Sequence, residues 1–312
     1  MSPDRPGRPR AAPAILLAAV AAALGVALAG CNDQKKTPPD EILPRSQLVD
    51  RYNSRAEAIQ TLKAKCHVEA RMPRMDARGR PVEGKYDTWS LDGNLLLRKP
   101  RDLYLIGRAL SEPMFGLHSN QDVYWFWVKP RASVEYVGRY DGPGAEQFLI
   151  RPDYLLRTLG IFPVPADLWA FRRGDDLDVL QMMAVEVPDA PPGSRQQIKV
   201  MLYLVQEVYL ERVHHDPVEV RLYDKRGERI VVSRLEGYQV VDGQRVPTRL
   251  TYHFVPADAT FKLSLSKVSL TAEIKDAVFD HDTLTPSLEN RIDLDAQQTQ
   301  GPCEPAADAP SE

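Results

Sequence analysis

The chain has 312 residues, 43% of them hydrophobic and 27% charged, and carries a formal net charge of -3. That length allows one large domain or two small ones. The slightly acidic balance gives no basic field for capturing nucleic acid, so nucleic-acid binding is excluded from the expected functions.

The N-terminus reads as a secretory signal. Arg5, Arg8 and Arg10 make a positive start, Ala14 to Ala27 form an apolar run of about fourteen residues, and Leu28, Ala29 and Gly30 stand before Cys31. A permanent span needs roughly 20 apolar residues, so this run is short for a membrane helix. Leu28-Ala29-Gly30-Cys31 resembles the lipobox of bacterial lipoproteins. The resemblance implies cleavage before Cys31, acylation of its sulfur and amino group, and tethering by two or more chains. Removing residues 1–30 takes away three arginines and Asp4, which moves the net charge from -3 to -5. The expected location is the bacterial cell envelope, on the periplasmic face of a membrane. The outer membrane is favoured and the inner one left open.

Residues 31–44 hold Pro38, Pro39 and Pro44 and read as an extended spacer. Residues 45–285 read as the folded domain, and residues 286–312, rich in Gln, Ala, Pro and acid, as a disordered tail. Cys66 and Cys303 are free to pair in an oxidising compartment, or to remain as a buried strand thiol and a tail thiol. Neither has a partner at metal-ligand spacing.

Within the domain, Leu48, Tyr52, Ala56, Ile59 and Leu62 recur near helical spacing, which predicts a helix over Ser46–Lys63 capped by Ser46. From Cys66 the period drops toward 2. Tyr86–Leu91, Asn94–Arg98 and Asp102–Gly107 read as strands separated by turns. Val123–Val128 and Ser133–Tyr140 flank Lys129-Pro130-Arg131 as a hairpin, and Val123–Val128, apolar on both faces, should be covered on both sides. Arg151–Gly160 has proline at a helix start and glycine at its end. Pro165–Phe171 suggests a second short helix. The last third alternates strongly: Val218, Val220 and Leu222, then Val246 to Phe254. A parity switch near Ser266-Lys267 implies a bulge. Asp224–Gly227 and Val241–Gln244 supply hairpin turns. Strands joined this tightly form an antiparallel meander, so the fold class is mainly β.

Catalytic signatures are missing: no G-x-S-x-G, H-E-x-x-H, phosphate loop or dinucleotide fingerprint. His214-His215-Asp216 is the densest group of metal-capable side chains. Adjacent residues on a strand face opposite ways, so it reads as a polar strand end before Pro217. Asp175, Asp176 and Asp178 read as a solvated turn. Glu207 and Glu211 are scattered acids with no assigned pairing. The chain is expected to be non-catalytic, with no metal and no cofactor. Tyr124-Trp125-Phe126-Trp127 is either core or the wall of a cavity for a greasy ligand. Met114, Met182 and Met183 suit either.

Together, the anchored cysteine, the first helix, the meander, Asp122-Val123-Tyr124-Trp125, the Pro152-Asp153-x-Leu155-Leu156 helix and Gly243-Gln244-Arg245-Val246-Pro247-Thr248 resemble the LolA/LolB-like superfamily over Ser46 to Asp282. The resemblance implies an unclosed antiparallel half-barrel (mainly β, α+β) wrapped around a few helices and keeping an apolar cavity. It implies a lid made by Pro152–Leu159 and Pro165–Phe171, and an acyl chain, lipid or lipoprotein as ligand. Trp125, Trp127, Leu155, Leu159 and Trp169 are the candidate cavity residues. Carriers in that superfamily hold lipoprotein acyl chains, and the anchor looks more like their membrane-bound receptor. The chain departs from the pattern in its segment Val185–Arg195, with Pro188, Pro191 and Pro192, and in its proline-rich termini. The alternative function is a structural or regulatory envelope lipoprotein that binds a protein partner through its sheet.

Overall fold

A computed structural model describes residues 42–75, 81–129, 134–143, 150–165, 169–186, 201–281 and 290–296. Residues 1–41, with Cys31 and the expected signal peptide, and Cys303 lie outside them.

A helix, α1 (Arg45–Ala58), opens the domain and buries Leu48, Val49, Tyr52 and Ala56 on one face. It ends five residues before the sequence suggests, because Ile59 turns extended and Thr61 already pairs in a strand. Its start follows Pro44 and has no side-chain cap, so Ser46 lies inside the helix and does not cap it.

The strands follow in chain order: β1 (Thr61–Met75), β2 (Pro81–Arg98), β3 (Asp102–Ala109), β4 (Glu112–Ser119), β5 (Val123–Val128) and β6 (Val134–Arg139). A short helix, α2 (Pro152–Arg157), intervenes. Then come β7 (Trp169–Arg173), β8 (Leu177–Glu186), β9 (Met201–Glu211), β10 (Pro217–Tyr223), β11 (Arg229–Glu236), β12 (Gln239–Val241), β13 (Gln244–Val246), β14 (Arg249–Phe254), β15 (Ala259–Ser269) and β16 (Asn290–Asp293).

Fourteen strands make one sheet in the order β16-β6-β5-β4-β3-β2-β1-β15-β14-β11-β10-β9-β8-β7, while β12 and β13 form a separate hairpin. Every pairing in the large sheet is antiparallel except β16 with β6. Pairing of β1 with β15 joins the two meanders, and among the described residues β16 and β7 are the unjoined edges. The fold is thus an unclosed antiparallel half-barrel around helices. The bulge expected at Ser266-Lys267 is a register shift opposite Lys63–Lys65, with Lys267 at φ 51°.

Three segments differ from the sequence reading. Tyr86–Leu91 and Asn94–Arg98 belong to one continuous strand, β2, because Gly93 lies in register between Cys66 and Gly107 and makes no turn. Residues 169–171 of the expected second helix are strand: Trp169 pairs with Met182 and Phe171 with Leu180. Residues 166–168 lie outside the described set. Asn290–Asp293, expected in a disordered tail, is held against β6, and Asp295 accepts the Arg139 backbone N–H at 2.9 Å.

One face of the sheet encloses the main core. Even-numbered residues of β1 (Leu62, Ala64, Cys66, Val68, Ala70) are buried there with Leu95, Leu97, Leu103 and Leu105. Inside lie α1 and the segment from Ile150 to Val164, whose Leu155, Leu156 and Leu159 are buried in the same core. So α2 packs inside the half-barrel. Asn53 on α1 holds the segment through both amide atoms, donating to Val164 O (3.1 Å) and accepting from Val164 N (2.8 Å).

Lys99, after β2, donates to the carbonyls of both Ala56 and Ile161. Burial lowers its pKa to about 8, with Glu57 opposing. Between pH 8 and roughly 10.4 the unfolded chain therefore holds a proton that the folded chain has released. Stability from this group rises with pH across that window. Urea titrations from pH 8 to 10 should show that rising contribution in the wild type and its loss in Lys99→Met. Equal slopes for the two proteins would refute the assignment.

Candidate functional site

Alternating strand directions place the β1–β2, β3–β4, β5–β6, β8–β9, β10–β11 and β14–β15 connections at one end of the half-barrel, the rim. The β2–β3, β4–β5, β7–β8 and β9–β10 connections lie at the other, the base. The two ends differ in chemistry.

The base is tied by charge. Asp216, buried, receives Arg55 Nη1 on one oxygen (2.7 Å) and Arg245 Nε and Nη2 on the other (2.8 and 2.7 Å). Glu211 accepts the backbone N–H groups of Val213 (2.6 Å), His214 (2.8 Å) and Asp216 (3.1 Å), folding the turn around itself. Glu211, His214 and Asp216 offer ligand atoms within 4.8 Å of one another. Each carboxylate already accepts three hydrogen bonds that hold the turn together, which supports a structural role for the group. His215 takes φ 59° in it. Asp175 and Asp176 are exposed as expected of a turn, but Asp178 is fully buried between Arg173 (3.4 Å) and Arg212 (3.6 Å). That pairing, to Arg173 on β7 and to Arg212 just after β9, is unreadable from spacing.

Glu207 is likewise occupied. On the outer face it accepts Tyr223 OH (2.6 Å), Tyr209 OH (2.8 Å) and Gln181 Nε2 (2.9 Å). Burial would raise its pKa, but hydrogen bonds from Tyr223, Gln181 and Tyr209 outweigh burial and hold it below the ordinary glutamate value.

The rim is apolar. Seven large apolar side chains are exposed among the described residues, and five of them, Leu110, Val185, Met201, Leu202 and Val255, sit at or beside rim connections. Leu110 protrudes fully from the two-residue β3–β4 turn, where it and Ser111 take φ 49° and 83°. Sequence reading missed it because a lone leucine between strands breaks no pattern.

A slot enters the core from this end. Ala70, Leu91, Phe115, Phe126 and Phe261 form its buried wall, and the half-buried Met72, Trp89, Met114, Val128 and Lys129 its mouth. Its free volume is about 30 Å³, room for about one or two waters. Ligand cavities run to roughly 300–1,000 Å³. The interior that the sequence reading expects to stand open is therefore almost filled by its own side chains, and an occupant must displace some of them.

Four of the five candidate cavity residues, Trp125, Trp127, Leu155 and Leu159, do not line this slot. Leu155 and Leu159 are in the main core. Phe126 and Val128 line the slot, whereas Trp125 and Trp127 point to the opposite face by strand parity. There they pack with Ile106 and Val137, and His118 stacks against both rings at 5.4 and 6.3 Å. Gly116 makes room, since a Cβ there would lie 2.2 Å from His118 Nε2 and 2.6 Å from the Trp127 ring. Burial lowers the His118 pKa to about 3, with His281 adding to it, so the ring is neutral. The chain after β15 runs over this outer cluster: His281 meets Trp125 edge-on at 5.0 Å and bonds Glu135 at 2.8 Å. Both faces of β5 are covered, as its double apolarity predicts. Trp169 lies in β7, with its side chain outside the described set. Cys66 is a buried free thiol whose pKa burial pushes up to about 12.

No family model and no curated protein matches the sequence. Among solved structures, the chain is similar to a DUF1329 family protein from Desulfovibrio piger ATCC 29098, at 13% identity over 78% of this chain and 100% of that one, with a TM-score of 0.47. It is also similar to a LolA superfamily protein from Nitrosomonas europaea, at 13% identity over 78% of this chain and 100% of that one, with a TM-score of 0.45. The likeness is one of fold.

Proposed function

We propose that this chain is a non-catalytic protein of the bacterial cell envelope, tethered through a lipid on Cys31, that shelters the hydrocarbon of an acyl chain or lipid in its half-barrel. The observation that carries the reading is the apolar slot, entered at the end where the exposed apolar side chains gather. Entry of each methylene releases about 0.8 kcal/mol. Against this stands the displacement needed to enlarge a slot of about 30 Å³. Met72 and Met114 at the mouth are the side chains best suited to move, being unbranched and adaptable. Leu110 and its neighbours at the rim would meet the surface from which the hydrocarbon leaves.

Strand addition by a protein partner has less support. The two edges are short, five residues in β7 and four in β16, and β7 carries the exposed Arg172 and Arg173. Short charged edges discourage further pairing.

The test is purification of the full chain with Cys31→Ser, followed by native mass spectrometry. A bound lipid at near one per protein is the expected result, and Phe126→Glu should abolish it. Protein that is repeatedly empty and also fails to take up added tetradecanol would overturn the reading.

A further inference from the structure

Among the described residues, the slot has one charged lining residue, Lys129, just after β5. Its backbone N–H is used by Met114 O at 2.7 Å. Among the described residues its ammonium has neither a hydrogen bond nor an acidic partner, although the other walls are apolar or aromatic. A half-buried lysine lays its methylenes along apolar surface and keeps the charge at the water boundary. Here that boundary is the slot mouth, beside Met72, Trp89 and Met114.

We propose that Lys129 recognises the oxyanion head, carboxylate or phosphate, of a single-chain amphiphile whose hydrocarbon enters the slot. This rests on the hydrocarbon-sheltering reading and narrows it, because a neutral lipid leaves the ammonium unmatched. The charge meets the ligand only when the chain has entered tail first. Lys129 is thus a selectivity residue, and the apolar wall supplies the bulk of the affinity. At a half-buried site a charge-assisted hydrogen bond is worth about three- to tenfold in affinity, between the exposed and buried extremes. It weakens with added salt.

The experiment uses the full chain with Cys31→Ser and three probes of equal length: tetradecanoic acid, tetradecyl phosphate and tetradecanol, measured by calorimetric titration in low and high salt. One or both anions should bind at least threefold tighter than the alcohol at low salt. Lys129→Met should abolish that preference, bringing both anions to the affinity that tetradecanol has for the same variant. Lys129→Arg should restore it. Whichever anion shows the larger preference identifies the head chemistry. Two results would overturn the proposal: equal affinity for all three probes in the Cys31→Ser protein, or a preference that survives Lys129→Met. The second would mean that a group other than Lys129 meets the head. Binding of the alcohol without anion preference sinks this inference alone. Binding of none of the three sinks the hydrocarbon-sheltering reading as well.

Discussion

Asp216→Ala is expected to destabilise the fold by about 3–5 kcal/mol, the range for breaking a buried ion pair from one side. The side chain of Asp216 is 3% exposed and that of Arg55 is 14% exposed, so the guanidinium left behind stays largely desolvated. Arg245, at 33%, can turn partly to water and loses less. The carboxylate also joins distant parts of the chain: Arg55 on α1 and Arg245 on β13, the second only 29 residues along and the first 161. Its loss should loosen α1 from the base as well as lower global stability. Urea unfolding gives the magnitude, and hydrogen exchange on α1 reads the local effect. Arg249→Ala provides the contrast. Its pair with Glu236 is about 65% exposed on both sides, and surface pairs contribute about 0–1 kcal/mol. Comparable losses for the two substitutions would show that Asp216 is no keystone of the base.

Gly93→Ala should cost at least about 3 kcal/mol, or prevent folding, because overpacking here meets main chain and not a movable side chain. A Cβ on Gly93 would lie 1.8 Å from the Ile106 carbonyl oxygen and 3.4 Å from Cys66 Sγ. The backbones of β2 and β3 close on each other at that point, where Gly93 faces Gly107 in register. Gly107→Ala meets a different obstacle, the Phe115 ring at 2.2 Å, and a ring can rotate aside. Gly93→Ala should therefore be the worse of the two in the same denaturation assay. The reverse order would mean that the sheet spreads at Gly93 at little cost.

These two positions mark where sequence reasoning stops. A glycine following aspartate within an alternating stretch has the look of a turn, yet Gly93 sits mid-strand because a neighbouring backbone needs its space. An aspartate before a proline looks like a polar strand end, yet Asp216 binds arginines from two other elements. In both cases the deciding atom belongs to a residue far away or across the sheet, and no local period encodes it.

Local order alone determined that the body is an antiparallel β meander begun by an amphipathic helix, because period and turn chemistry are properties of neighbouring residues. It also determined that β5 is covered on both sides, since six successive apolar residues leave no wet face. Tertiary structure alone decided that Trp125 and Trp127 lie outside the half-barrel while Phe126 lines its slot, and that the interior is nearly full. Alternation sorts side chains onto two faces without saying which is concave. How much space remains depends on what α1 and α2 bring inside.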